Sequence, residues 1–314
     1  MKRKFSILLL LAKIAIACFT MGFLVKKIHF HEIRSAFQNP ENPLFLVFAV
    51  FLVLPNLFLQ WFRWHTLMRR LYPGTSPSES AVSLFGGMVG GFVTPGRIGE
   101  FSRPLFLKNV DRFQVLGLVL IDKLYAFIPI LVGGLAGVVS FLSYAFRYNV
   151  FLVWPLSFAA VCLSGLALLW AFNPAWTRNF LYHLSVVFPT REKLRKFIGI
   201  MDVFTKRDAC LLLAASFLLY AVYISQFCLL AFAFQPIPWT TALTATTCTL
   251  FAKTLIPFSI GDLGIREGAA VFFFLRFHVD KVTAFNSSLL LFAINIVFPT
   301  LLGLLFLPKM AIKN

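Results

Sequence analysis

Two short stretches of this sequence combine helix breakers with paired charges. The first is Gly91-Phe92-Val93-Thr94-Pro95-Gly96-Arg97-Ile98-Gly99-Glu100-Phe101-Ser102-Arg103. The second is Ile256-Pro257-Phe258-Ser259-Ile260-Gly261-Asp262-Leu263-Gly264-Ile265-Arg266-Glu267. Each has Pro, then Gly-charged-aliphatic-Gly, then an acid and an Arg within four residues. Pro95, Gly96, Gly99, Pro257, Gly261 and Gly264 stop a helix and free backbone groups to face a ligand. A helix that restarts after the break offers free N–H groups to an anion. Arg97, Arg103 and Arg266 have the forked geometry that holds a phosphate, and Glu100, Asp262 and Glu267 can balance those charges while a site is empty. Lys253, just ahead of the second break, is a further substrate contact with no obvious local partner. The plain alternatives are that these pairs only lock loop to bundle, or that they sit wet at headgroup depth.

Asp122 and Lys123 stand side by side in a long apolar run. They either neutralise each other, or Asp122 faces Lys253 or an Arg. Other chemistry finds little support. Gly91-x4-Gly96 has P-loop spacing, but Arg97-Ile98 stands where Lys-Ser/Thr is needed. There is no GxSxG nucleophile elbow. Ser259-Ile260-Gly261-Asp262 is near an intramembrane aspartyl protease motif, yet Arg266 and Glu267 account for Asp262 as a member of an ion pair. The five His show no metal spacing. Cys18, Cys162, Cys210, Cys228 and Cys248 mostly fall in apolar runs and read as small buried hydrophobes. No metal and no cofactor is expected.

The elements that must position these residues are membrane spans. Of 314 residues 59% are hydrophobic and only 13% charged, half the charge of a typical soluble domain, which is about 25%. Phenylalanine dominates the aromatics, 39 against 7 Tyr and 6 Trp, as suits lipid contact without a polar group to satisfy. Apolar runs at Phe5–Val25, Leu44–Phe62, Phe113–Leu142, Val150–Phe172, Ala209–Phe232 and Thr283–Leu307 approach or exceed the ~20 residues that cross a bilayer. Phe5–Val25, preceded by Lys2-Arg3-Lys4, reads as a retained first span and not a signal peptide. About Ala81–Thr94 and Thr240–Ile256 are apolar but run into the breaks. The expected fold is all-α: a polytopic bundle of about six full spans plus two broken or re-entrant segments, about eight helices in all, and an inverted repeat is compatible with the paired breaks. Residues 1–314 form one integral membrane domain, with a first half 1–172, a cytoplasmic connector 173–208 and a second half 209–314. Within the connector Leu194, Phe197, Ile198, Met201 and Phe204 recur at helical spacing, either an amphipathic interfacial helix or an ordinary packed one.

If both broken segments return to the side they left, 19 of the 29 Lys and Arg fall on one side and 7 on the other, with Lys13, Lys123 and Lys253 inside apolar segments. The positive-inside rule then puts both termini in the cytoplasm, with the chain multi-pass in the cell's cytoplasmic membrane. The net charge of +17 is thus directed at the anionic membrane surface, and no nucleic-acid partner is expected. Gly86-xxx-Gly90, Gly87-xxx-Gly91 and Gly133-xxx-Gly137 read as close internal helix packing.

At Pro95-Gly96-Arg97-Ile98-Gly99-Glu100 with Arg103, and at Pro257 through Gly261-Asp262-Leu263-Gly264-Ile265-Arg266-Glu267-Gly268, the sequence resembles the lysylphosphatidylglycerol synthase transmembrane region, also called the flippase-like domain or uncharacterised protein family 0104. The resemblance covers nearly the whole chain in segment order. It implies a membrane domain that moves aminoacylated or otherwise modified lipids between leaflets. No aminoacyl-transferase domain follows in this sequence, so a stand-alone member is expected, without lysine transfer. Members of the family often carry Gly-Gly near these breaks, where Arg97 and Asp262 stand here.

The leading expectation is a lipid translocase, more transporter than enzyme. A phospholipid or lipid-linked headgroup would cross through a polar cavity between the two breaks, and the partner would be an anionic or modified membrane lipid. The alternatives are a membrane-embedded transferase acting on a lipid-linked substrate, with Glu100 or Asp262 catalytic, and a non-catalytic partner of a lipid-modifying enzyme.

Overall fold

A computed structural model describes residues 38, 40–94, 96–147, 149–176, 179, 204–256 and 263–306. The expected span Phe5–Val25 lies outside these residues, as do Pro95, Pro257, Gly261, Asp262 and most of the connector. The described chain is α-helical without strands. In order come α1 (Pro43–Phe51), α2 (Val53–Leu71), α3 (Pro77–Val93), a 3₁₀ segment (Ile98–Phe106), α4 (Arg112–Ala145), α5 (Val150–Phe172), α6 (Lys206–Phe234), α7 (Trp239–Leu255), α8 (Ile265–Arg276), α9 (Lys281–Phe292), a π turn (Ala293–Val297) and α10 (Phe298–Phe306). Among the described residues five stretches are long and apolar enough to cross a membrane: Pro43–Leu71, Arg112–Ala145, Val150–Phe172, Lys206–Phe234 and Lys281–Leu305. They coincide with the five expected spans that fall among the described residues. Helix α5 is apolar all round and leaves Phe151, Trp154 and Phe158 exposed, which fits a lipid-facing helix.

The two irregular segments are regular helices of 17 residues, α3 and α7. At 1.5 Å per residue each is about 25 Å long, short of a ~30 Å hydrocarbon core. The reason α3 stops is visible beyond it. Gly96 and Arg97 both take positive φ, 60° and 57°, and the chain turns back as the 3₁₀ segment. The return is antiparallel and very close. A Cβ at Gly90 would lie 2.6 Å from the Gly99 carbonyl oxygen, one at Gly99 would lie 2.0 Å from that of Gly90, and one at Gly86 would strike the Phe106 ring. The small-residue pairs of α3 thus pack internally. Thr94 seals the turn, donating from Oγ1 to Gly90 O and accepting from Gly99 N.

Each hairpin opens and closes at a single end of the bundle. Tyr72, before α3, accepts from Asp111 N at 2.9 Å and donates to Gln114 at 2.8 Å, just past the 3₁₀ segment. Gln235, before α7, accepts from Asp280 N at 3.0 Å, just past α8. The ends are opposite ones. Helix α4 starts beside the base of the first hairpin, and near its far end Phe141 and Tyr144 stack on Phe273 and Phe277 at the base of the second. Helix α7 lies against α4 through Gly134, next to Phe251, and Gly137, next to Thr247. One apolar cluster, with Trp64, Leu84, Leu118 and Leu212, surrounds the first hairpin. Another, with Phe227, Leu250, Phe274 and Phe285, surrounds the second.

Three boundaries differ from the sequence reading. Helix α2 runs past Phe62 to Leu71, so Arg63 is a buried helical residue and not the start of a loop. The charges after the first break are not wet, because the 3₁₀ segment buries Glu100 and Arg103 against α3 and α4. Helix α6 begins at Lys206, capped by Thr205, which accepts from Asp208 N and donates from its own N to the Asp208 carboxylate. Arg70 reaches that buried carboxylate at 2.6 Å.

Candidate functional site

The 3₁₀ segment is amphipathic, and it turns Glu100 and Arg103, one turn apart, toward α4. There they meet Asp122 and Lys123. Arg103 donates from Nη2 to Glu100 and from Nη1 to Asp122, both at 3.1 Å. Asp122 also accepts from Arg63 Nη2 at 2.5 Å. Glu100 takes a charged hydrogen bond from Lys123 and an ion pair from Arg97 Nε at 2.7 Å. The Arg103 guanidinium lies over the Trp64 ring at 4.6 Å. Asp122 and Lys123 therefore do not neutralise each other; successive residues of a helix point 100° apart, and each finds its own partner. The result is a continuous chain, Arg63–Asp122–Arg103–Glu100–Lys123, drawn from α2, the 3₁₀ segment and α4. Such a buried network holds only if every member is paired, since removing one leaves another charge uncompensated.

This network forms one wall of a cavity of about 380 Å³. Its charged lining is Arg63, Arg97, Glu100, Arg103, Asp122, Lys123 and Lys253. Among the described lining residues, five cations stand against two carboxylates, a formal excess of three positive charges. Lys253 and Thr254 come from the end of α7, next to the second break, and the Lys253 ammonium lies over the Tyr223 ring at 5.7 Å. Leu84 from the first apolar cluster and Leu250 from the second also line the cavity. The space thus lies between the two clusters, where the hairpins approach from opposite ends.

The structure brings Arg97, Glu100, Arg103 and Lys253 together here, and Gly96 and Gly99 supply the turn and the close approach behind them. Arg266 and Glu267 stand apart. They pair with each other, both fully buried. Arg266 Nε donates to Ser288 at 3.0 Å, and its guanidinium lies over Phe292. Glu267 accepts from Gly264 N at 2.7 Å and from Ser288. Gly264 takes φ 83°, so the pair caps α8 and fastens it to α9. Asp262, Pro257, Gly261 and Pro95 lie outside the described residues.

Several lining residues escaped the sequence reading. Asn56, Gln60 and Arg63 line the cavity from α2. Their i, i+4, i+7 spacing put them on one helical face, and that was the available signal. Tyr220 and Tyr223 on α6 gave none in a run of apolar and aromatic residues. Asn295 stood out only as an amide inside an apolar span. It sits in the π turn, an irregularity frequent at functional sites.

Fold and cavity together define a class: a polytopic α-helical membrane protein with an ion-paired polar cavity between two opposed helical hairpins. Over residues 10–303 the chain matches the family model described as the lysylphosphatidylglycerol synthase TM region, and it belongs to that family. No curated protein and no solved structure gives a significant match. The chain is accordingly a multi-pass membrane protein of lipid metabolism or translocation.

Proposed function

We propose that the protein is a lipid translocase. The headgroup of a phospholipid or lipid-linked substrate occupies the cavity while its chains stay in the surrounding lipid. One observation carries this reading: residues flanking both helix breaks, Arg97 and Lys253, line a single cavity whose described charged groups are predominantly cationic. Ions are costly at membrane depth, and an excess of one sign is a place for a ligand of the other. Arg97, Lys123 and Lys253 engage the phosphate. Glu100 and Arg103 hold that wall in shape. Asp262 belongs to the second break by sequence and is assigned to the same site on that ground alone. Arg266 and Glu267 act at one remove, by fixing α8 and with it the second break.

The carboxylates suit a binding role better than a catalytic one. Glu100 and Asp122 are each held by two or three cations, so both are engaged in holding the wall together. In this reading the two hairpins are re-entrant from opposite faces of the cytoplasmic membrane, and both termini are cytoplasmic. The halves 1–172 and 209–314, joined by the connector 173–208, contribute one hairpin each.

The test is leaflet-specific labelling of lipids in vesicles reconstituted with the purified protein. Movement of an anionic lipid should exceed that in empty vesicles, and Arg97→Ala combined with Lys253→Ala should return it to background. Transport unchanged in the double variant would sink the assignment.

A further inference from the structure

The lining is not charged throughout. It also carries uncharged hydrogen-bonding groups, Asn56, Gln60, Tyr220 and Asn295 among them. On α2, Gln60 donates to Asn56 at 2.6 Å, Asn56 to Gln226 at 3.2 Å, and Gln226 to the Ala49 carbonyl at 3.0 Å. This chain of amides fixes the orientation of Gln60 and Asn56, both lining residues. In the same lining, Asn295 is 7% exposed. Its amide nitrogen donates to Leu291 O, but its carbonyl oxygen meets no partner among the described residues. The Tyr220 hydroxyl, also buried, is in the same position. Both residues line the cavity. Buried polar atoms are nearly always satisfied, and those that are not call for a water, an ion or a ligand.

An acceptor on Asn295 and a hydroxyl on Tyr220, beside fixed amides, are all matched by one kind of group, a hydroxyl, which both donates and accepts. A cationic group fares worse. It would meet five cations, and both described carboxylates in the lining are buried and already occupied by Arg63, Arg97, Arg103 and Lys123.

We infer that the cavity selects a lipid phosphate ester whose headgroup carries uncharged hydroxyls, a glycerol, polyol or sugar, over one carrying a net positive amine. The inference rests on the translocase reading for its lipid, and it names the substrate class of that same site.

Binding to the purified full-length protein in detergent, titrated by native mass spectrometry, tests this apart from transport. The probes are phosphatidylglycerol, phosphatidylinositol, phosphatidic acid and the lysyl ester of phosphatidylglycerol. The first two should bind at least about tenfold more tightly than the lysyl ester, the scale of one unfavourable charged contact. Tyr220→Phe and Asn295→Ala should each weaken the hydroxylated lipids by about five- to tenfold and phosphatidic acid by far less, as expected for a lost hydrogen bond. A general folding defect would lower all four together, and Tyr220→Phe, which removes one oxygen, keeps the comparison open if Asn295→Ala does not fold. Lysyl ester binding equal to or tighter than phosphatidylglycerol overturns the inference. Soluble glycerol 3-phosphate competing as well as the lipid would also overturn it, since the ligand would then be a free ester. Selective binding with no movement between leaflets leaves this inference standing and removes the translocase reading.

Discussion

Arg97 and Lys253 line the same cavity although they belong to hairpins that enter the bundle from opposite ends. Arg97 follows the break after α3, and Lys253 precedes the break after α7. Helices α3 and α7, at 17 residues each, are both shorter than a ~30 Å hydrocarbon core. Between them α4 contributes Lys123, Ala126, Phe127 and Ile130 to the lining.

Similar local sequence at the two breaks should give dissimilar mutant behaviour. Arg97→Ala should lower lipid movement about tenfold or more while the unfolding temperature in detergent changes little, because Arg97 sits at the cavity surface. Arg266→Ala should do the reverse first, destabilising the fold by about 3–5 kcal/mol, since it strands the buried Glu267 carboxylate. Parallel transport and thermal-unfolding measurements separate the two. A fully stable Arg266→Ala protein would mean that Glu267 finds another partner.

Asp122 is the junction of the ion-pair network. Asp122→Ala leaves Arg63 and Arg103 without their shared carboxylate in a buried site, and about 3–5 kcal/mol of stability should be lost. Pairing this change with Arg63→Met should recover part of the loss, because one uncompensated charge is removed with it. Thermal unfolding of the single and double variants gives the coupling directly.

Gly99→Ala should be among the most damaging small substitutions. The added carbon would lie 2.0 Å from the Gly90 carbonyl oxygen, which is backbone and cannot rotate away. Overpacking of this kind costs about 1–3 kcal/mol or more. Gly165→Ala, on the lipid-exposed α5 with nothing within 4 Å of the new carbon, is the matched control. It should gain slightly from the better helix propensity of Ala. Yield and unfolding temperature of the two proteins decide the point.

The hairpin bases make a sidedness prediction. In a cysteine-free background, Gly74→Cys and Lys108→Cys flank the first hairpin, and an impermeant thiol reagent should reach both from the cytoplasmic side. Arg147→Cys and His278→Cys, at the opposite end, should label only from the outside. Labelling of Gly74→Cys and Lys108→Cys from different sides would mean that the first hairpin crosses completely.

Much of this fold was legible in the sequence, because membrane helices announce themselves by run length. A bilayer demands about 20 apolar residues and satisfied backbone groups, and five of the expected spans lie where the described helices are. The breaks were legible for a similarly local reason. Gly96 and Gly99 permit a turn and an approach that any side chain would block, and the four charges at Arg97, Glu100, Arg103 and Lys253 stood out against an apolar background.

What the sequence could not decide was which charge meets which. Asp122 and Lys123 are neighbours in the chain, yet one belongs to Arg63 and Arg103 and the other to Glu100. Arg97 and Arg266 sit in near-matching motifs, yet one lines a cavity and the other is sealed between α8 and Phe292. Arg63, one residue past the expected end of its span, proved to be a buried helical residue. Local sequence determines where a helix can form and where it must stop, through backbone sterics and the cost of unpaired polar groups in lipid. The partner of a buried charge is set by the residues that other helices bring to the same depth. That is a property of the packed bundle, and only the tertiary structure holds it.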